Sequence, residues 1–252
     1  MSPLGVGIAV FACTFGGALA GMRLRSILPD HHLSSESKDT VKVGIGLIAT
    51  MTALVLGLVT ASAKASFDAM DATIKHVAAD TLSLDRMLAR YGPETGEIRA
   101  GLKRFMAQRI DRVWSRAGSQ EARLDPTNAG RAAEVLAGQL RALVPQTDEQ
   151  RRLQSRALDL AESLLAARWS VAAFGTAIPI AFLVILVFWL TITFTSFGLF
   201  APQNTTVVAV LVVCALSVAG AVFLVLELDG PLDGLIMVSP APLKYALAHL
   251  NQ

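Results

Sequence analysis

The sequence contains few charged residues, and they are distributed very unevenly. Asp, Glu, Lys and Arg make up 17% of the chain, against about 25% in an average soluble domain. No charged side chain occurs in four stretches, namely residues 1–22, 43–63, 169–226 and 234–243. A single soluble core would not separate charge in this way, whereas membrane-spanning helices would.

Cysteine is scarce, and the familiar catalytic motifs are absent. Cys13 and Cys214 each lie inside an apolar run, which is typical of small buried hydrophobic residues and not of a disulfide framework. There is no glycine-rich phosphate loop, H-E-x-x-H, C-x-x-C or G-x-S-x-G motif. We therefore expect neither an enzyme nor a bound cofactor. The net charge of +2 is too small to indicate a nucleic-acid partner.

The sequence offers only a weak candidate for a metal site. His31 and His32 are followed by Glu36 and Asp39, but adjacent histidines are badly placed to converge on one ion. A polar loop followed by a helix cap is the favoured interpretation, and we expect no metal there. The apolar stretches also lack the ionisable residues with which pumps carry a coupled ion. Energised transport is therefore disfavoured.

Four apolar segments are long enough to cross a bilayer, whose core of about 30 Å requires about 20 helical residues. They are residues 3–22, 43–63, 169–197 and 204–226. The first segment could instead be a cleaved signal peptide, because residues 18–20 read Ala-Leu-Ala. No Lys or Arg precedes it, so a retained helix is favoured. Pro179 lies inside the third segment and predicts a kink.

These segments predict an all-α integral membrane protein with four transmembrane helices and a cytoplasmic helical bundle inserted between spans two and three. Its parts are residues 1–63 with spans one and two and the polar loop 23–42, residues 64–168 with the bundle, residues 169–226 with spans three and four, and a tail at 227–252 with a short amphipathic helix. Lys and Arg near the span ends are more numerous on the side of the bundle. We therefore expect the bundle and both termini in the cytoplasm.

The inserted domain begins with a heptad pattern, in which apolar residues recur at spacings of three and four. The eight positions are Phe67, Met70, Ile74, Val77, Thr81, Leu84, Leu88 and Tyr91. Such a coiled-coil seam requires a partner helix. Gly92 and Pro93 end the helix. Two shorter helices are expected to follow, and then a fourth helix that can continue unbroken into span three. The seam and the small residues of the spans together predict self-association.

Small residues occur on two transmembrane faces. Gly17 and Gly21 form a G-x-x-x-G pattern in span one, which is typical of close helix packing. In span two, the heptad positions continue as small residues, and close packing is again the usual interpretation. The alternative is that this face, repeated around a symmetry axis, lines a pore with a hydrophobic constriction. The pore-lining candidates are Gly46, Leu47, Thr50, Met51, Ala53, Leu54 and Thr60.

Three segments of the chain resemble the bacterial bestrophin-like domain family. They are LPDHHLSSESKDTVKVGIGLIATMTALVLGLVTASAKASFD at 28–68, LARYGPET at 88–95 and ELDGPLDGLIMVSPAPL at 227–243. Bestrophins are oligomeric anion channels with four spans, cytoplasmic termini and a pore lined by the second span. The resemblance therefore implies a homo-oligomer in the inner (plasma) membrane that interacts with the lipid bilayer and conducts inorganic ions.

Two features depart from the bestrophin pattern. The bestrophin pore helix carries aromatic residues, whereas span two has none before Phe67. Bestrophins also bind calcium through an acidic cluster after the last span, where this chain has only Glu227, Asp229 and Asp233. These acids are weak candidates for ion binding, because acids spaced by glycine and proline equally indicate a turn.

Two functions of different classes remain open. The first is a homo-oligomeric, bestrophin-like ion channel, anion-selective by resemblance, with span two lining the pore. The second is a non-conducting membrane scaffold whose coiled-coil domain recruits a partner protein. A membrane enzyme is the weakest interpretation, because no convergent catalytic groups are visible.

Overall fold

The computed structural model describes residues 2–29, 35–114, 126–173, 178–202, 204–232 and 234–252, which are all-helical apart from turns and connections. The helices are α1 (Pro3–Ile27), α2 (Ser35–Tyr91), α3 (Gly96–Trp114), α4 (Pro126–Ala142), α5 (Asp148–Ala173), α6 (Ile180–Phe200), α7 (Thr205–Asp229) and α8 (Ala241–His249), with a 3₁₀ turn at Pro93–Thr95.

Helix boundaries follow local capping chemistry. Asn204 begins α7 by accepting a hydrogen bond from the backbone N–H of Val207 at 2.8 Å. Thr147 likewise accepts from the N–H of Gln150 at 3.1 Å and begins α5, as its T-x-x-Q sequence indicates. Gly92 ends α2 with a φ of 144°, a conformation that residues with a side chain rarely adopt.

Four helices are long and apolar enough to cross a membrane, as the sequence predicts: α1, α2, α6 and α7. The start of the third span differs from the prediction. The described part of α5 ends at Ala173, and Pro179 is the N-cap of α6 and not a kink within a helix. The reason is that proline lacks an N–H and disfavours a helical conformation in the residue before it.

The chain divides into two compact units. The membrane unit comprises Met1–Ser66, Thr176–Gly230 and Gly234–Ile236, and the helical unit comprises Phe67–Gly175, Pro231–Asp233 and Met237–Gln252. Helix α2 belongs to both, because its 57 residues run without interruption from Ser35 to Tyr91.

In the membrane unit, α1 packs closely against α6 through the G-x-x-x-G face. A Cβ atom on Gly21 would meet the backbone oxygen of Thr195, and one on Gly198 would meet the backbone oxygen of Ala18. Gly17 lies on the same face, where a Cβ atom would come within 2.9 Å of the Thr195 hydroxyl. The small-residue face of span one is therefore used for packing within the chain.

In the helical unit, the heptad seam of α2 is buried inside the same chain. Met70 and Ile74 pack with Met106 and Ile110 of α3 and with Leu243 of α8. Further along the seam, hydrophobic residues from α2, α3, α4 and α5 form a second cluster: Leu84, Leu88, Ile98, Leu102, Leu140, Ala157 and Ala161. The partner that the seam requires is thus supplied by the chain itself, and the seam provides no reason for self-association.

Candidate functional site

The membrane part of α2 has a broad face that no other described segment of the chain covers. Only 11% of its most apolar stretch is buried, against 22–28% in α1, α6 and α7. Leu47 and Leu54 are 65% and 70% exposed. All seven residues predicted to line a pore are exposed on this helix: Gly46, Leu47, Thr50, Met51, Ala53, Leu54 and Thr60. Whether they face a pore stays a prediction.

The opposite side of α2 packs within the membrane unit. Thr52 and Ala63 are buried at 5% and 0% exposure. Between them, Val55 and Leu56 contact a cluster formed by α1, α6 and α7, and Val59 contacts Val225 and its neighbours. This contact fixes which side of α2 points away from the rest of the unit.

Small residues at helical spacing form one stripe of the outward face, beside the bulkier exposed residues Leu47, Met51 and Leu54. Gly46, Thr50, Ala53, Gly57 and Thr60 follow one another at steps of four and three, which place them in one stripe. Cβ atoms built on Gly46 and Gly57 meet nothing within 4 Å. Gly17 and Gly21 of α1 are covered by α6, whereas the glycines of α2 lie open.

The threonines of α2 satisfy their hydroxyl donors within the helix. Thr50 donates to the carbonyl oxygen of Gly46 at 2.8 Å, and Thr60 donates to that of Leu56 at 2.7 Å. Each hydroxyl oxygen keeps acceptor lone pairs that this hydrogen bond does not use. Because residues 43–63 carry no charge, the face is a neutral surface of methyl groups, backbone and hydroxyl oxygens.

Glu227, in the last turn of α7, has a structural function. Glu227 is buried at 4% exposure, and its Oε2 accepts hydrogen bonds from the backbone N–H groups of Leu235 at 2.5 Å and Ile236 at 3.2 Å. Gly234 has a φ of 92°, and a Cβ atom there would collide with the Glu227 carboxylate. The carboxylate therefore closes a tight turn in the membrane unit.

The other two predicted acids add little to an ion site. Asp229 is buried at 6% exposure and has an interaction partner, while Asp233, like His31 and His32, lies outside the described residues. The residues that are described contain no group of three His, Cys, Asp or Glu side chains able to hold a metal ion. Calcium binding stays a prediction.

One buried ion pair, missed at the level of sequence, fixes the C-terminal segment to the helical unit. Arg99 donates to both carboxylate oxygens of Asp85, at 2.8 and 2.9 Å, and Asp85 also accepts from the N–H of Asn251 at 3.2 Å. Lys103 binds the carbonyl oxygen of Leu250 at 3.0 Å. The Asp85 carboxylate raises the pKa of Arg99, so the pair stays ionised. The sequence feature that could have revealed this pair is Asp85 itself. It follows the seam residue Leu84, and a carboxylate at a buried position requires a cationic partner.

Helix α8 contacts the rest of the helical unit through its apolar residues. Leu243, Ala246 and Leu250 are buried against Met70, Ile74, Met106 and Ile110. The indole N–H of Trp114 donates to the carbonyl oxygen of Val238 at 2.9 Å and fixes the segment that leads into α8.

Comparisons with known proteins agree on one family. The Bestrophin-like domain family matches residues 11–243. Two crystal structures of a bacterial bestrophin homologue from Klebsiella pneumoniae have the same fold. The structure phased with zinc is 16% identical over 95% of both chains, with a TM-score of 0.65. A single-residue variant is 18% identical over 98% of this chain and 96% of that one, with a TM-score of 0.67.

A third crystal structure, of a membrane protein variant, is 16% identical over 96% of both chains, with a TM-score of 0.65. A comparison with curated proteins finds no significant match. Because the family match extends over nearly the whole sequence, the chain belongs to the bestrophin-like domain family.

Proposed function

We propose that several copies of this chain form a bestrophin-like, anion-selective ion channel, with the outward face of α2 from each copy lining the pore. The observation that carries the proposal is the open stripe of small residues on α2. The bestrophin family and fold support it, and the proposed location is the inner membrane with the bundle and termini in the cytoplasm.

Contact with lipid alone does not explain why this stripe of α2 consists of small residues. The exposed positions of α6 are bulky, as expected for contact with acyl chains, and include Phe182, Val184 and Phe188 at 45%, 60% and 58% exposure. By contrast, Gly46, Thr50 and Gly57 on α2 leave a shallow surface. Small residues allow helices to approach closely, so copies of α2 would surround a narrow axis.

Without charged residues, such a pore would control ions through its width and wetting. Leu54, 70% exposed, would form a hydrophobic constriction that opens and closes by gaining or losing water. Selectivity would come from backbone and hydroxyl dipoles, or from charges beyond the membrane segment. The absence of a ring of acids is compatible with anions and unfavourable for divalent cations.

Cysteine labelling tests the proposal directly. In a background with Cys13→Ala and Cys214→Ala, we expect Leu54→Cys to react with a charged, membrane-impermeant methanethiosulfonate and to lose current in planar bilayers. Val184→Cys is the matched control, because its side chain is exposed to a similar degree but lies on α6. Its current should not change.

Two further measurements separate conduction from its alternative. Replacing Leu54 with Thr should raise the current several-fold by wetting the constriction, and the reversal potential in a chloride gradient reports anion selectivity. No current with any ion, together with an unreactive Leu54→Cys, would contradict the channel and favour the scaffold.

A further inference from the structure

The turn that follows α7 presents an apolar side chain outward. Leu235 is 81% exposed, the highest value among the large hydrophobic residues that the structure describes. It belongs to the membrane unit, and no charged residue occurs between positions 234 and 243. A single exposed leucine is ordinary on a protein surface, so the rigidity and the position of this turn decide whether it has a partner.

The turn is held in place by the end of α7. The Glu227 carboxylate accepts hydrogen bonds from the backbone N–H groups of Leu235 and Ile236, at 2.5 and 3.2 Å. Gly234 lies directly against the same carboxylate, with a φ of 92° that favours glycine. The outward side chain of Leu235 is therefore carried by a backbone that is fixed on both sides, and its exposure is built into the fold.

Glu227 continues an exposed apolar stripe of α7. Leu216, Gly220, Leu224 and Glu227 follow one another at steps of four and three, which place them on one side of the helix. Leu216 and Leu224 are 62% and 50% exposed. Glu227 itself is only 4% exposed, because the turn at 234–236 lies over it. The turn thus sits at the end of the stripe that α7 exposes.

This stripe ends at the edge of the bilayer core. A core of about 30 Å takes about 20 helical residues, and α7 runs from Thr205 to Asp229 with Glu227 in its last turn. An ionised carboxylate in contact with acyl chains is costly. The turn removes that contact by donating two N–H groups to the carboxylate, and it places the Leu235 side chain at the surface instead.

We propose that the turn at 234–236 is a lipid contact, in which Leu235 inserts between acyl chains at the edge of the bilayer core and the turn shields Glu227 from them. The partner is lipid because the turn extends the exposed leucine stripe of a membrane span, and because an apolar side chain gains free energy by leaving water. The contact does not depend on whether the protein conducts ions.

Spin labelling tests the contact on the full-length protein in phosphatidylcholine liposomes. In a background with Cys13→Ala and Cys214→Ala, a nitroxide is attached to Leu235→Cys, and its collisions with oxygen, which concentrates in lipid, and with a water-soluble nickel chelate are measured by power saturation. We expect an oxygen-to-nickel ratio several-fold higher than at Val144→Cys. Val144 is the matched control, because it is 73% exposed but belongs to the helical unit. Leu224→Cys on α7 gives the value for lipid.

A second variant tests the role of Glu227. Glu227→Ala in the Leu235→Cys protein should free the turn, so the nitroxide becomes more mobile and its oxygen-to-nickel ratio falls. Glu162→Ala, which removes an exposed acid of α5, should change neither quantity. An unchanged spectrum in Glu227→Ala would contradict the shielding.

Two results with intact Glu227 would overturn the lipid contact. A ratio at Leu235→Cys equal to that at Val144→Cys would place the turn in water. Low accessibility to both oxygen and the nickel chelate would show that a second copy of the chain, and not lipid, covers Leu235.

Discussion

Replacing Gly21 with Ala should destabilise the membrane unit by about 2–3 kcal/mol. The new Cβ atom would overlap the backbone oxygen of Thr195, and a backbone oxygen cannot rotate away as a side chain can. To restore van der Waals contact at roughly 3.5 Å, α1 and α6 would have to separate by about 1.5 Å. A gap of about 1 Å already forfeits up to half of each contact energy, and overpacking typically costs about 1–3 kcal/mol.

Gly16 supplies the matched control on the same helix. A Cβ atom there meets nothing within 4 Å, so Gly16→Ala should change the free energy of unfolding by less than about 1 kcal/mol. Both variants can be compared with wild type by denaturant titration in detergent micelles, following helix content by circular dichroism.

The difference in the free energy of unfolding between these two variants tests the close contact of α1 with α6. If Gly21→Ala unfolds at the same denaturant concentration as wild type, the helices are not packed backbone to backbone at this position. If Gly16→Ala is equally destabilised, the α1 surface around Gly16 is not open, and the assigned packing face is wrong.

Three other predictions concern buried polar groups. Asp85→Ala and Arg99→Ala should each lower the free energy of unfolding by about 2–4 kcal/mol. This is less than the loss for a fully buried pair, because the Arg99 side chain remains 19% exposed. In a double-mutant cycle, the double variant should lose less than the sum of the two single losses. Tyr91 is 5% exposed, and its hydroxyl has no hydrogen-bond partner among the described residues. Tyr91→Phe should therefore leave the free energy of unfolding unchanged or raise it by about 1 kcal/mol. A clear loss of stability would show that the hydroxyl has a hydrogen-bond partner. Glu227→Ala should lower the free energy of unfolding by about 2–3 kcal/mol, because two backbone N–H groups lose their acceptor. The loss should be the same in calcium and in chelator, and a loss seen only with calcium would indicate an ion site instead.

Much of the fold was predictable because its signals are local. The lengths of the apolar runs predicted four spans, and the break at Gly92 and the cap at Thr147 were visible as short motifs. The predicted start of the third span is wrong, because the apolar run continues through Pro179. Composition alone cannot show that one helix ends before this proline and another begins after it.

The candidate sites were less predictable because they depend on residues far apart in sequence. Nothing local shows that Asp85 meets Arg99. Glu227 illustrates the same limit, since its spacing suits a turn as well as an ion site. Only the fold shows its carboxylate accepting from Leu235 and Ile236.

The small-residue faces separate what sequence determined from what tertiary structure decided. Sequence alone placed one such face on span one and another on span two, because helical periodicity is fixed by spacing. It could not say which face is covered, since that depends on a complementary helix elsewhere in the chain. The structure places α6 against Gly17 and Gly21 of α1 and leaves Gly46 and Gly57 of α2 open, and that difference directs the proposed pore to α2.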